Sequence, residues 1–481
     1  MKKLLNFIGG EFLEPKGGEY LKSYNPATGE AYLLVSDSDK RDIDLAVEAA
    51  RKAFPSWSQA TAEERSRYLY RIADLVEVRK TEFALAESTD QGKPLWLAEQ
   101  MDIGRVVANF RFFAGAILHA QESVMQTGKN TMSYVSRKPV GVAGLISPWN
   151  LPLYLLSWKI APAIAFGNTA ICKPSEFTSA TAAMLAEVII EAGLPKGVVN
   201  IVFGTGPKAG QALVEHPDVP LISFTGGTQT GRTIAMAAAG QFKKVSLELG
   251  GKNPNIIFDD ANLEAAIAGT IRSSFLNQGE ICLCGSRIYV QKKIYDAFLT
   301  RFLEKTREIK VGDPKDPSTF MGPLVSREHL EKVESYIKIA REEGVKILTG
   351  GGRPKLPEPF SNGYFFEPTI LEGAKHESRL QQEEIFGPVV TVTPFETEEE
   401  VIELANGTKY GLSASIWTEN INRAHRVADR LEAGTVWVNS WLIRDLRAPF
   451  GGMKASGVGR EGQEDSREFF TEAKTICIQY H

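Results

Sequence analysis

Cysteine and histidine are scarce in this sequence of 481 residues, which contains 4 cysteines and 6 histidines. The cysteines are Cys172, Cys282, Cys284 and Cys477. They are too few and too scattered for a disulfide framework, which favours a reducing compartment. A Cys-x-Cys pair with no second pair and no nearby histidine is also a poor zinc signal, so we expect no metal site.

A charge imbalance and a long apolar run are missing as well. The 55 basic residues nearly balance the 59 acidic ones, for a net charge of -4, so electrostatics give no reason to expect nucleic acid or a membrane surface as a partner. No apolar run reaches the length of a membrane span. The N-terminal apolar run is short, and Glu11 follows it, unlike a signal peptide. We therefore expect a cytoplasmic protein.

The length predicts two or three domains, because the chain is too long for one ordinary core. Hydrophobic residues make up 43% and charged residues 24%, as in soluble globular proteins. Apolar residues at helical spacing predict helices over 41–54, 62–89 and 99–120, with a break at Gly92-Lys-Pro94. An extended hairpin arm is predicted over 126–138.

Strand-like and helix-like segments alternate from residue 141 onward. The strand patterns lie at 141–147, 168–173, 198–203, 219–224 and 244–249. This alternation predicts a doubly wound parallel sheet, which binds ligands at the carboxyl ends of its strands. A second alternation begins at residue 253 and predicts a second α/β domain.

Two glycine-rich loops follow strands of the first alternation. Gly204-Thr-Gly206-Pro-Lys-Ala-Gly210 has the spacing GxGxxxG and contains a proline, so it is a weak dinucleotide signal. Gly226-Gly227-Thr-Gln-Thr-Gly231 follows a strand and opens a helix, whose amides suit a pyrophosphate. A third strand end carries Lys173 and Glu176.

Glu176 has two interpretations. A carboxylate at this place accepts hydrogen bonds from an adenosine ribose and repels a 2′-phosphate. Alternatively, Ser175 and Glu176 form an ordinary helix N-terminus.

The stretch over 274–287 reads S-F-L-N-Q-G-E-I-C-L-C-G-S-R and joins a helical run to a strand-like run. A cysteine on such a connection can act as a thiol nucleophile, and Glu248 beside two glycines is a candidate base. Taken alone, the stretch rather favours a cysteine that fills core space.

Six motifs along nearly the whole chain resemble, in the same order, those of the aldehyde dehydrogenase superfamily. They are Pro148-Trp149-Asn150, Lys173-Pro-Ser-Glu176, Phe224-Thr-Gly-Gly227, Glu248-Leu-Gly-Gly, Phe275-x-Asn277-x-Gly279-x-x-Cys282 and Glu384-Ile-Phe-Gly-Pro388. The resemblance implies an NAD-binding domain over 1–118 and 139–248, a catalytic α/β domain over 249–451, and a small β oligomerisation arm over 119–138 and 465–481. It also implies a homo-oligomer, either a dimer or a tetramer.

The resemblance assigns roles to individual residues. Cys282 is the nucleophile, Glu248 activates water, and the Asn150 amide with the Cys282 N–H holds the oxyanion. The NAD contacts carried over are Ser147, Trp149, Lys173, Ser175, Glu176, Gly206, Phe224, Gly226, Gly227, Leu249, Glu384 and Phe386. Gly227 stands where relatives often have serine, so a hydroxyl contact is lost there.

The substrate class is indicated by 109–113, 278–284 and 441–446, which resemble the branch that oxidises 2-aminomuconate and 2-hydroxymuconate semialdehydes. This implies a small-molecule aldehyde with a carboxylate, bound by Arg111 and Arg444, with Trp158 and Phe450 beside them. A salt bridge between Arg444 and Asp445 is the structural alternative. A betaine-aldehyde-like or general aliphatic enzyme, a thiol hydrolase and a non-catalytic binding protein remain open.

Overall fold

Five parallel strands form the centre of the first sheet in this computed structural model, which describes residues 1–481. In spatial order they are Val199–Ile201, Thr169–Lys173, Val142–Ile146, Leu221–Thr225 and Lys244–Glu248. When these five strands are numbered along the chain, their order across the sheet is 3-2-1-4-5, as in the predicted doubly wound arrangement. Antiparallel strands close both edges, Asn6–Ile8 and Glu11–Leu13 at one and Gly457–Val458 at the other.

Helices cover both faces of this sheet. Side chains alternate along Val142–Ile146, so Ala143 and Leu145 pack into one core while Val142 and Ile146 pack into another. The helices are Lys40–Gln59, Ala62–Val78, Lys80–Gln91, Leu95–Leu97, Gly104–Ala116, Pro152–Ala165, Ala180–Glu191, Gln211–Glu215 and Thr228–Ala239, with π-helical Ala98–Ile103 and Gly206–Gly210 and the 3₁₀ turn Ile117–His119.

The helix predicted over 62–89 is two helices, because Arg79 leaves α geometry with φ -95° and ψ 17°. The second of them ends at Gly92, whose φ is +96°. A Cβ there would lie 2.8 Å from Pro323 Cγ and 2.9 Å from the Pro323 oxygen. Both the backbone conformation and the lack of space therefore require glycine.

The second sheet has seven strands. In spatial order they are Lys346–Thr349, Thr369–Glu372, Val389–Phe395, Arg287–Gln291, Pro254–Ile257, Ser413–Trp417 and Thr435–Val438, all parallel to their neighbours except the first. Its helices are Leu263–Phe275, Tyr295–Arg307, Arg327–Glu342, Arg379–Gln382, Glu398–Asn406 and Ile421–Arg430, with 3₁₀ turns Leu276–Gly279, Lys292–Ile294 and Phe360–Asn362. Two parallel sheets confirm the predicted fold class.

A third sheet projects a largely exposed surface. Thr471–Gln479 pairs along its whole length with Thr131–Pro139, which also pairs with Val124–Gln126. The C-terminal strand therefore closes a sheet of its own chain. Residues 463–470 form the helix Gln463–Phe470, whose last residue packs into the core, and the C-terminal strand begins directly after it at Thr471.

The remaining strands are short. Lys2–Leu4, Glu30–Ser36 and Tyr20–Asn25 form one small sheet, and Tyr410–Gly411 pairs with Met453–Lys454. None of the helices combines the length and the apolar character that a membrane crossing requires.

Candidate active site

The loop that carries Cys282 is shaped by a left-handed turn. Helix Leu263–Phe275 is followed by Asn277 and Gln278, with φ values of 52° and 58°. Beyond the turn, the Asn253 side-chain amide donates to the carbonyl oxygens of Cys282 at 2.7 Å and Cys284 at 2.9 Å. The loop is thus fixed on both sides of the thiol.

Cys282 lies at the junction of two cavities. One has a volume of about 660 Å³ and the other about 260 Å³, and Cys282 lines both, together with Leu155, Thr225 and Leu249. Burial, together with the carboxylates of Glu384 and Glu248, raises the pKa of the Cys282 thiol. The resting thiol therefore keeps its proton, and it must lose that proton before it attacks a substrate.

Glu248 lines the larger cavity at the carboxyl end of strand Lys244–Glu248. Its Oε1 has no hydrogen-bond partner. Burial and the neighbouring carboxylate of Glu461 raise its pKa well above the ordinary value. Glu461 itself is bonded to the ammonium of Lys159 at 3.1 Å. Glu248 is thus a buried carboxyl whose ionised form is a strong proton acceptor.

Arg444 enters the same cavity between two aromatic rings. Its guanidinium carbon lies 4.5 Å from the Trp158 ring centroid and 4.0 Å from that of Phe450. Nε and Nη2 are buried and have no hydrogen-bond partner. Asp445 pairs instead with Arg447 at 2.6 Å, so the alternative salt bridge does not form. The guanidinium is left free to bind an anion.

Two of the predicted substrate contacts need correction. Trp158 does not line the cavity, because it is buried beneath Arg444. Arg111 is exposed and pairs with Asp74 at 2.7 Å and Glu77 at 2.5 Å on the neighbouring helix. The cavity is lined instead by Arg105, whose guanidinium lies 5.6 Å from the Tyr154 ring centroid.

Helix geometry explains the error about Arg111. Six residues turn an α-helix by about 600°, so Arg111 points about 120° away from Arg105. The positions that line the cavity, Met101, Gly104, Arg105 and Ala108, follow helical spacing. A helical projection of the sequence groups these four positions on one face, but which face meets the cavity is set by packing.

The smaller cavity gathers seven of the predicted residues beside Cys282 at the carboxyl ends of the first sheet. These are Trp149, Asn150, Gly226, Gly227, Leu249, Glu384 and Phe386. A carboxylate oxygen of Glu384 accepts from the Gly251 amide at 2.8 Å. Gly227 is the N-cap of helix Thr228–Ala239, and no atom lies within 4 Å of where its Cβ would be. This open helix N-terminus suits a phosphate group.

Six further predicted cofactor residues lie outside both cavities. Ser147 has a buried hydroxyl without a partner, and Lys173 bonds Glu176 at 3.0 Å. The Phe224 ring packs 2.5 Å from where a Cβ of Gly226 would be. Ser175 is buried, and Gly206 is exposed at the start of its π-helical turn.

His329 is a cavity residue that the sequence motifs missed. It lines the smaller cavity near Trp149, with ring centroids 5.0 Å apart. Its Nε2 lies 2.6 Å from the Phe386 carbonyl oxygen, and burial lowers its pKa to about 4. His329 belongs to the unpredicted helix Arg327–Glu342, whose N-cap Ser326 was the available signal.

Comparison with known proteins gives one family. The family model described as aldehyde dehydrogenase matches residues 12–476. A 2-aminomuconic semialdehyde dehydrogenase of Mus musculus is 58% identical over 480 residues, covering 99% of this chain and 98% of that protein. A 2-hydroxymuconic semialdehyde dehydrogenase of Pseudomonas sp. is 47% identical over 485 residues, covering 100% of both.

Solved structures agree with these relatives. An NAD⁺ complex of aldehyde dehydrogenase from Bacillus cereus superposes with a TM-score of 0.97 at 42% identity, covering 100% of this chain and 97% of that one. The NAD⁺ complex of betaine aldehyde dehydrogenase from Staphylococcus aureus gives 0.96 at 40% identity, covering 98% and 94%.

The two neighbouring thiols allow a matched test. We expect Cys282→Ala to abolish NAD reduction with an aldehyde, because Cys282 lines both cavities. Cys284→Ala, the control, should retain most of the activity, because Cys284 does not line either of these two cavities. Absorbance of the reduced nicotinamide measures both rates. Equal loss in two folded variants would contradict the assignment.

Proposed function

Since this chain belongs to the aldehyde dehydrogenase family, we propose that it oxidises the aldehyde group of a carboxylated semialdehyde to the acid with NAD. The substrates that fit are 2-aminomuconate and 2-hydroxymuconate 6-semialdehyde. The observation that carries the substrate class is the unpartnered Arg444 guanidinium in the cavity that also contains Cys282. The names of the relatives point to the same class.

The first half of the reaction takes place at Cys282. Its thiol gives its proton to solvent in the open cavities, and the sulfur then adds to the aldehyde carbon and makes a tetrahedral thiohemiacetal oxyanion. The Asn150 side-chain amide and the Cys282 N–H are the proposed oxyanion donors, and the loss of one such donor typically costs roughly 10²–10³ in rate. NAD, when bound, would supply the hydride acceptor, and loss of hydride from the tetrahedral carbon would leave a thioester on Cys282.

The second half releases the acid. Glu248 removes a proton from water, the hydroxide adds to the thioester, and the Cys282 sulfur leaves. The raised pKa of Glu248 makes its carboxylate a better base than an ordinary one. Because a raised pKa means that the carboxyl is protonated at low pH, the water-activating form is gained as the pH rises through that pKa.

Several features of the cofactor side support NAD. The open N-terminus at Gly227 suits the pyrophosphate, and the buried Ser147 hydroxyl still has bonding capacity. Glu176, held by Lys173, is the proposed ribose ligand, in agreement with a preference for NAD over NADP. Ser175, Gly206, Phe224, Glu384 and Phe386 complete the proposed cofactor contacts.

The proposed organisation follows the fold. Residues 1–118 and 139–248 bind the cofactor, 249–451 carry Cys282, and the exposed sheet of Val124–Gln126, Thr131–Pro139 and Thr471–Gln479 is the contact arm of a homo-oligomer. The balanced charge and the free cysteines agree with a cytoplasmic enzyme.

Two alternatives fit less well. A betaine aldehyde is cationic, and the larger cavity has three arginines, Arg105, Arg272 and Arg444, none of them in a salt bridge with an acidic side chain. A cysteine hydrolase needs a basic imidazole. His329 has a lowered pKa, about 4, and its Nε2 is engaged by a carbonyl group.

The arginines give the test of the substrate class. Arg105→Gln and Arg444→Gln should each raise KM for the carboxylated semialdehyde about tenfold or more, because a charge-assisted hydrogen bond contributes about 1.5–3 kcal/mol. KM for a neutral aldehyde of similar length should change little. Arg111→Gln, on the same helix as Arg105, is the control and should behave as the wild type. Equal effects on both substrates would contradict the carboxylate role.

Cofactor choice tests Glu176 separately. The wild type should prefer NAD over NADP in kcat/KM, and Glu176→Gln should narrow that preference by about tenfold, equivalent to about 1.4 kcal/mol, because the repelling charge is gone. Glu191→Gln, at the exposed end of the next helix, controls for net charge. Equal use of both cofactors by the wild type would contradict the ribose role and leave Glu176 only as the ion-pair partner of Lys173, because the next helix begins at Ala180.

A further inference from the structure

The short segment over 91–93 contacts two loops of the active site, the one that carries Asn150 and the one that carries Cys282. Lys93 is completely buried, and its ammonium pairs with Asp102 and donates to the backbone carbonyl of Asn150 at 2.9 Å. Gln91 donates from its side chain to the Glu280 carboxylate at 2.7 Å, two residues before Cys282. Neither residue takes part in the proposed reaction.

Asn150 is held by several groups at once, through both its side chain and its backbone. Its Nδ2 donates to the Glu280 carbonyl oxygen at 2.8 Å. The backbone carbonyl oxygen of Asn150 accepts from the Asn277 side chain at 3.2 Å and also from the Lys93 ammonium. Lys93 is the charged member of this network, and charge-assisted hydrogen bonds are the stronger ones.

Asp102 extends the network to the substrate side. It is completely buried in the π-helical turn Ala98–Ile103, and its Oδ1 has no partner, so Lys93 supplies the bond on its Oδ2. Arg105 lies three residues further along the chain and lines the larger cavity. The Lys93–Asp102 pair therefore joins the turn of Asn150 to the helix that carries Arg105.

We propose that Lys93 is a positioning residue: with Asp102 it fixes the Asn150 turn so that the amide points at the developing oxyanion. This inference rests on the proposed oxyanion role of Asn150. Lysine suits the place because its ammonium bonds a carboxylate and a carbonyl at once from a long apolar stem. Gly92 makes the reach possible, since only glycine fits there.

The test removes the pair as a unit. Lys93→Met with Asp102→Leu takes away both charges, because a single change leaves a buried charge unpaired and destabilises the fold. We expect kcat with a neutral aldehyde to fall by about 10²-fold, the scale of losing an oxyanion donor, while the Kd for NAD stays unchanged. A neutral aldehyde is used because it has no carboxylate for Arg105 to bind, so a displaced Arg105 should not change this kcat.

Positioning is distinguished from a merely structural role by a double-variant comparison. If Lys93 acts through Asn150, the paired change should lower kcat by less than about twofold when Asn150 is already alanine. The reason is that the effects of coupled residues do not add. The control is Lys243→Met, another buried lysine that donates to carbonyls, those of Val214 and His216 at 2.6 Å. It should leave kcat unchanged.

The outcomes separate the two claims. Two results would overturn the positioning role of Lys93 and leave the oxyanion role of Asn150 standing. One is a wild-type kcat in the folded paired variant, and the other is a further fall in kcat of about 10²-fold when the paired change is added to Asn150→Ala. Wild-type kcat in Asn150→Ala would overturn the oxyanion role and this inference with it. If the paired variant does not fold, Lys93→Met with Asp102→Asn, which again removes both charges, is measured in the same two backgrounds by the same criterion.

Discussion

The position of the Cys282 loop is the constraint on which the rest of the site depends. The left-handed residues Asn277 and Gln278 turn the chain out of its helix, and the Asn253 amide holds the carbonyls on the far side. The thiol consequently lies where two cavities meet. One cavity is wide enough for an extended aldehyde and contains arginines, and the other opens at a helix N-terminus. Substrate and cofactor can thus reach the same sulfur from different directions.

Burial gives this site its chemical character. It raises the pKa of both the Cys282 thiol and the Glu248 carboxyl, so both groups are neutral more readily than in water. A neutral thiol is unreactive until its proton has left for solvent, and the Glu248 carboxylate of raised pKa is a competent base for the water of the second half of the reaction. The same low-dielectric surroundings strengthen the attraction between the unpartnered Arg444 and an anion.

The sequence predicted the parts of this arrangement that depend on local pattern. Strand periodicity located the five parallel strands of the first sheet, and motif order identified the loops of Cys282, Glu248 and Asn150. What it missed depends on three-dimensional placement. Arg111 was wrong because the direction of a side chain on a helix is set by packing, and His329 lies on a helix that no motif marks. The connection from Lys93 to Asn150 spans 57 positions in the chain.

The division of labour between Cys282 and Glu248 is the central claim, and a single-turnover measurement on Glu248→Gln tests it most directly. Mixed with NAD and the semialdehyde, this variant should reduce NAD once per site and then stop, because hydride transfer precedes water activation. Peptide mass analysis should find the acyl group on Cys282. Steady turnover at the wild-type rate, or the absence of both the burst and the adduct, would contradict the account.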